Sequence, residues 1–161
     1  MHIVLVEPEI PQNTGNIART CAATRTTLHL VHPLGFSIDE KQVRRAGLDY
    51  WHMVTIEEHP SFAQLCEQYL DAQFYFASTK APRAYTEVDF PENAFLVFGK
   101  ETKGLPEELL HDNYDRCIRI PMIEGARSLN LGNSVAIVLF EALRQHHFAG
   151  LNSTGHLTQY D

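Results

Sequence analysis

Short apolar runs alternate with stretches of helical spacing along the whole of this 161-residue chain. The runs at 2–6, 28–31, 53–56, 74–77, 94–98 and 117–120 are rich in β-branched, aromatic and aliphatic residues and predict strands. Between them the period lengthens. Asn13 or Thr14 predicts the cap of a first helix that carries Ile17, Ala18, Cys21 and Ala22. Ser37 with Glu40 reads as a capping box for a short helix toward Ala46. Pro60 suits the first turn of a helix bearing Phe62, Leu65 and Leu70, and Pro106 does the same before Leu109 and Leu110. Strand and helix alternate with no repeat and no low-complexity linker. That order predicts one α/β domain over residues 1–150, a mainly parallel sheet with helices on both faces. The polar stretch 151–161 is expected to be a flexible tail.

The last helical stretch, 131–147, is different. Val135, Ala136, Ile137, Val138, Leu139, Phe140, Ala142 and Leu143 leave almost no polar face along its middle. A helix apolar all round must be covered on both sides. Either the sheet covers one side and a second subunit the other, or the helix runs through the centre of the monomer.

Composition narrows the class. With 44 % hydrophobic and 20 % charged residues, wholesale disorder is excluded, and a chain of this length buries about 70 % of its unfolded surface without staples. Residues 1–6 lack the basic flank of a signal peptide, and no apolar run reaches the roughly 20 residues of a membrane span, so a cytoplasmic location is expected. Cys21, Cys66 and Cys117 stand far apart, as reduced thiols do. The nine histidines show no HExxH spacing and there is no CxxC, so no metal is expected. The net charge of −7 argues against a protein that coats nucleic acid indiscriminately. Its distribution is uneven, however. No acid occurs from residue 10 to 38, where Arg19, Arg25, His29 and His32 fall, nor from 125 to 140, where Arg127 falls. Should these two segments meet, they would form a local anion site; otherwise the clustering is chance.

Three segments carry loop chemistry beyond what turns require. The first, residues 7–19 (EPEIPQNTGNIAR), leaves the first strand at its carboxyl end, where α/β proteins bind ligands. It brings Asn13, Asn16 and Arg19 to the opening turns of a helix. Arg19 is suited either to a bidentate grip on phosphate or to a surface salt bridge. The second, 98–106 (FGKETKGLP), has two glycines spaced like a Walker A loop, but Leu105-Pro106 replaces Lys-Ser/Thr and excludes a P-loop. No GxGxxG occurs either, so a nicotinamide-dependent oxidoreductase, a third class of reading, lacks its glycine fingerprint here. The third, 120–134 (IPMIEGARSLNLGNS), places Ser128, Asn130, Asn133, Ser134 and Arg127 at the start of the apolar helix. One cap suffices there, so the surplus points to a binding loop.

Taken in order, NTGNIxR, FGxETxGLP and IPM…RSLNLxNS resemble the three motifs of the SPOUT-superfamily RNA ribose 2′-O-methyltransferases. The match is nearest to the minimal members, which methylate the wobble nucleotide of tRNA and lack an appended RNA-binding domain. The resemblance runs from Ile3 to about Gly150 and departs from the pattern at Gly132, where serine or alanine is common.

The resemblance implies an α/β domain with a deep trefoil knot in its carboxyl-terminal part, which holds S-adenosylmethionine. It implies methyl transfer to the ribose 2′-hydroxyl of cytidine or uridine 34 in a tRNA anticodon stem-loop. Carried over by position, Ala77, Gly99, Ile120, Met122 and Ser128 bind the cofactor, while Arg19, Asn130, Glu101 and Asn13 surround the acceptor ribose. Arg19 is expected to fix the target phosphate and stabilise the developing alkoxide, since a guanidinium is a poor base. Glu101 is either a proton acceptor or a residue that shapes its loop. Lys41, Arg44, Arg45 and Arg127 are expected to bind tRNA, with two subunits sharing one RNA. A homodimer through the last helix is implied, in agreement with its apolar surface. An RNA- or nucleotide-binding protein without turnover, or an enzyme acting at another RNA position, is the alternative.

Overall fold

The computed structural model describes residues 1–38 and 51–159. Six strands, β1 (His2–Val6), β2 (Thr27–Val31), β3 (Ile56–His59), β4 (Phe74–Ala77), β5 (Phe95–Phe98) and β6 (Cys117–Ile118), form one sheet in the order β3-β2-β1-β5-β4-β6. Every pairing is parallel. Among the described residues four α-helices accompany them: α1 (Pro11–Thr24), α2 (Phe62–Gln68), α3 (Glu107–Asp112) and α4 (Leu131–Gln145). This is the α/β architecture the alternating pattern predicts.

Strand periodicity divides the core in two. Ile3 and Leu5 of β1 point into a cluster with Ile17 and Cys21 of α1 and with Val135, Val138 and Leu139 of α4. Val4 and Val6 point the other way, toward Leu65 of α2 and Leu110 of α3. Because both faces are covered, the central strands are apolar on both sides, and all four residues of β5 are buried. From β1 the chain winds outward to β2 and β3, then returns to build β4 and β5 on the other side. The winding direction therefore reverses between β1 and β5, and crevices open at the carboxyl ends of such strands.

Past β6 the chain runs alongside the connection that leaves β4. Arg119, just past β6, donates its N–H to Arg83 O and accepts from Tyr85 N–H, both at 2.9 Å. The same connection then grips the end of α4. Phe90 N–H donates to Gln145 Oε1 at 2.8 Å, and Gln145 Nε2 donates to Val88 O at 2.9 Å.

Several boundaries differ from the pattern-based expectation. The third strand lies at Ile56–His59 rather than 53–56, because pairing with β2 selects the register Leu28↔Ile56. α1 begins at Pro11 with Ile10 in the cap position, so neither Asn13 nor Thr14 caps it. Ser61 caps α2 by accepting from Gln64 N–H, and Pro60 lies outside the helix. Leu70 falls beyond α2 and is 85 % exposed. Pro106 is the cap residue of α3, one position ahead of its first turn. The helix expected between Ser37 and Ala46 extends outside the described residues.

α4 is half covered. Val135, Val138, Leu139 and Ala142 are buried, whereas Phe140 is 45 % exposed and Ala136 and Ile137 are only partly covered. A central helix inside the monomer is thus ruled out. Among the described residues no helix is long and apolar enough to cross a membrane.

Candidate functional site

The loops that follow β1 and β5 are neighbours in space because their strands are paired, and charge locks them together. Lys100 Nζ donates to Glu7 Oε2 at 2.5 Å. This bond raises the Lys100 pKa and keeps the amine charged. Glu9 accepts from both the N–H and the hydroxyl of Thr102, at 3.1 and 2.8 Å. In return Glu101 reaches the opposite way and accepts from Glu9 N–H at 2.8 Å and Ile10 N–H at 3.1 Å. These two amides lie at the start of α1, a helix with no side-chain cap and no acid in its first turn. Glu101, more than ninety residues downstream, therefore supplies the negative charge that a helix N-terminus favours.

Asn13 extends this lock to the third segment. Its Nδ2 donates to Glu101 Oε1 at 3.1 Å, while its Oδ1 accepts from Asn130 Nδ2 at 3.0 Å. Asn130 is the cap of α4, and its Oδ1 accepts from Gly132 N–H at 2.9 Å. One unbroken chain of hydrogen bonds thus runs from the N-terminus of α4 through Asn130, Asn13 and Glu101 to the N-terminus of α1. Both amide side chains use a donor and an acceptor, so neither orientation is free to invert. The two acid-free segments do meet here.

Gly99 closes the β5 loop. A Cβ on Gly99 would stand 2.1 Å from Gly104 C and 2.2 Å from Leu105 N, a contact with backbone that cannot yield. Gly104 itself has φ +67°, a conformation that costs glycine little.

Around this framework lies a cleft of about 600 Å³, within the range of small-molecule sites. Ala77, Gly99, Ile120, Met122 and Ser128 all line it. So do Asn13, Glu101, Asn130 and Arg127. Arg19 does not. It lies about two turns along α1 from Pro11, on the exposed side of the helix. Lys41, Arg44 and Arg45 lie outside the described residues.

The chemistry on offer is positioning more than proton transfer. Glu101 already accepts three hydrogen bonds, and Lys80 is paired with Glu107 at 2.8 Å. Burial pushes the Cys21 thiol up to about 12 and raises those of Cys66 and Cys117, so none is an activated nucleophile. The cleft offers apolar walls from Ala77, Leu105, Ile118, Ile120 and Met122 beside polar groups of the 127–130 loop. An adenine with an attached polar chain fits that donor set.

The residues missed by sequence reasoning are the clasp itself: Glu7, Glu9, Lys100 and Thr102. A usable signal existed, since Glu7 and Glu9 are the last acids before a long acid-free stretch.

Residues 1–140 match the SpoU rRNA Methylase family. A Geobacillus stearothermophilus protein provisionally named tRNA (cytidine(34)-2'-O)-methyltransferase is 54 % identical over 155 residues, 94 % of this chain and 99 % of that one. A solved structure described as giving insight into the 2-OH methylation of C/U34 on tRNA superposes with a TM-score of 0.86 at 44 % identity, covering 91 % of this chain and 95 % of the other. A more distant one, an AdoMet-bound rRNA methyltransferase from Sinorhizobium meliloti, gives 0.78 at 26 % identity, covering 89 % and 55 %.

Proposed function

The chain belongs to the SpoU rRNA methylase family, and from that premise we propose that it methylates the ribose 2′-hydroxyl of nucleotide 34 of tRNA, cytidine or uridine. The observation that carries this reading is the convergence of three distant loops on one cleft at the β1–β5 reversal. The relatives named above supply the substrate.

Ala77, Gly99, Ile120, Met122 and Ser128 would hold S-adenosylmethionine, with the AdoMet-bound Sinorhizobium neighbour as support. When bound, that cofactor supplies an already activated methyl group, so the protein's task is alignment and exclusion of water. Asn13, Asn130 and Glu101 hold the three loops in register. Arg127 lies in the cleft, suited to an RNA phosphate, and Lys41, Arg44 and Arg45 are assigned to tRNA binding on their charge alone.

Arg19 is assigned to the acceptor phosphate and the developing alkoxide. Its place outside the cleft of its own chain favours action on the cleft of a second copy. The uncovered face of α4 supports such a homodimer, with Phe140 at 45 % exposed and Ile10 and Leu129 at 41 % beside the cleft mouth. Residues 1–150 form the catalytic domain and 151–161 its tail. The grip of the 83–90 connection on Arg119 and α4 supports a knotted carboxyl-terminal half. A cytoplasmic location follows from the tRNA substrate.

The test is transfer of tritium from methyl-labelled S-adenosylmethionine into tRNA, followed by nuclease mapping. Label in a 2′-O-methyl group at position 34 is expected. Cofactor binding without transfer to any tRNA would favour the non-catalytic reading.

A further inference from the structure

On the sheet face covered by α2, away from the cleft, the first three strands carry a row of histidines. His2 Nδ1 lies 2.9 Å from His29 Nε2, and His29 Nδ1 lies 2.9 Å from His59 Nε2. Glu57 shares the face, two residues before His59 and in register with His29. Its Oε2 stands 3.7 Å from His29 Nδ1 and 3.9 Å from His59 Nε2. We propose that His29 Nδ1, His59 Nε2 and Glu57 Oε2 form a binding site for a divalent transition-metal ion, Zn²⁺ foremost, which clamps the edge strand β3 to β2.

The geometry is specific. The circle through these three atoms has a radius of about 2.1 Å, and zinc bonds to imidazole nitrogen and carboxylate oxygen measure about 2.0–2.2 Å. An ion at its centre reaches all three atoms with no movement of the backbone. Two imidazoles and a carboxylate are a donor set of borderline character that suits zinc, with a solvent molecule as fourth ligand.

The surroundings match what such ligands need. In the tautomer that carries the His29 proton on Nε2, 2.9 Å from His2 Nδ1, the His29 Nδ1 lone pair is on the side of Glu57 and His59. In that tautomer His29 Nδ1 accepts from His59 Nε2–H at 2.9 Å in the free protein, and an ion takes the place of this hydrogen bond as the His59 proton moves to Nδ1. Tyr69 OH donates to Glu57 Oε2 at 2.7 Å and orients the carboxylate. The His29 and His59 side chains are buried, whereas that of Glu57 is 31 % exposed. An ion therefore has an entry path on the Glu57 side. Neither His2, His29, Glu57 nor His59 lines the cleft, so this site is separate from methyl transfer.

Untagged protein stripped by a chelator and titrated calorimetrically with ZnCl₂ tests the proposal. One equivalent is expected to bind, and Co²⁺ in its place is expected to give the visible absorption of a four-coordinate nitrogen and oxygen site. Glu57→Gln and His59→Gln, both checked for folding by circular dichroism, are expected to weaken Zn²⁺ at least tenfold, and Tyr69→Phe about tenfold. Cys66→Ser leaves binding unchanged. The partly exposed Glu57 keeps the test decisive should His59→Gln fail to fold. Absence of a saturable equivalent in the parent protein, or Glu57→Gln binding Zn²⁺ as tightly as the parent, would overturn the assignment.

Discussion

Replacing Glu101 with glutamine separates the two roles its position allows. The carboxylate accepts from Glu9 N–H at 2.8 Å on Oε2, and from Ile10 N–H and Asn13 Nδ2 at 3.1 Å on Oε1. Glutamine keeps one acceptor oxygen and turns an NH₂ toward the other donor, so at least one backbone N–H loses its partner and the N-terminus of α1 loses its charge. A hydrogen bond to a charged group contributes about 1.5–3 kcal/mol. The Ile10 contact is exposed, so we expect a total near the low end, about 2 kcal/mol, and a Tm lowered by about 4–8 °C for a chain of this size. Cofactor affinity should fall with it, since Glu101 sets the loop that lines the cleft. The pH dependence of single-turnover methyl transfer should keep its shape. Scanning calorimetry and a pH–rate series with labelled cofactor measure both. A Glu101→Gln protein with the parent Tm, no turnover and a missing acid limb would refute the loop-locking argument and make Glu101 the proton acceptor.

Gly99→Ala should cost cofactor affinity at least about a hundredfold, because the new methyl overlaps the Gly104 and Leu105 backbone and overpacking of this kind shifts the loop; equilibrium dialysis with S-adenosylmethionine checks it. Acid should destabilise the fold through the histidine row. The unfolded chain binds a proton at His29 near pH 6.5, the folded chain only near 3, so stability present above pH 6.5 is lost as pH falls toward 3. For His29 the loss is about 2 kcal/mol at pH 5, measurable by urea unfolding at pH 7.5 and 5.0; a His29→Gln variant with an equally steep slope would contradict this. Arg19→Lys should be nearly as inactive as Arg19→Ala at every pH with cofactor binding intact, because lysine lacks the planar fork; recovery of turnover at alkaline pH would assign Arg19 as the base. Phe140→Asp should yield monomers in sedimentation velocity, and those monomers should bind cofactor but fail to methylate tRNA.

What the chain's pattern made legible was local. β5 is a continuous apolar run, β1 is apolar from Ile3 onward and β4 is predominantly aromatic; a doubly covered parallel sheet needs such strands, and each was placed to within a residue. The surplus of polar groups ahead of α4 singled out the 127–130 loop, which lines the cleft, because Asn130 alone satisfies the cap. Pairwise chemistry between distant residues left no such trace. Asn13 reads as a helix cap by its type, yet its partners are Glu101 and Asn130, and only the β1–β5 pairing brings these together. For the same reason spacing rules leave no trace of the histidine row. His29 and His59 come from different strands, thirty residues apart, and meet through the register of a parallel pair. The third strand itself slipped by three residues, since its short, half-polar sequence IEEH is held by pairing with β2 rather than by any apolar run of its own. Periodicity reports which face a residue takes, because that depends on its neighbours in sequence. Which residue stands opposite is set by strand order and crossover, and those are decided by the burial of the whole core.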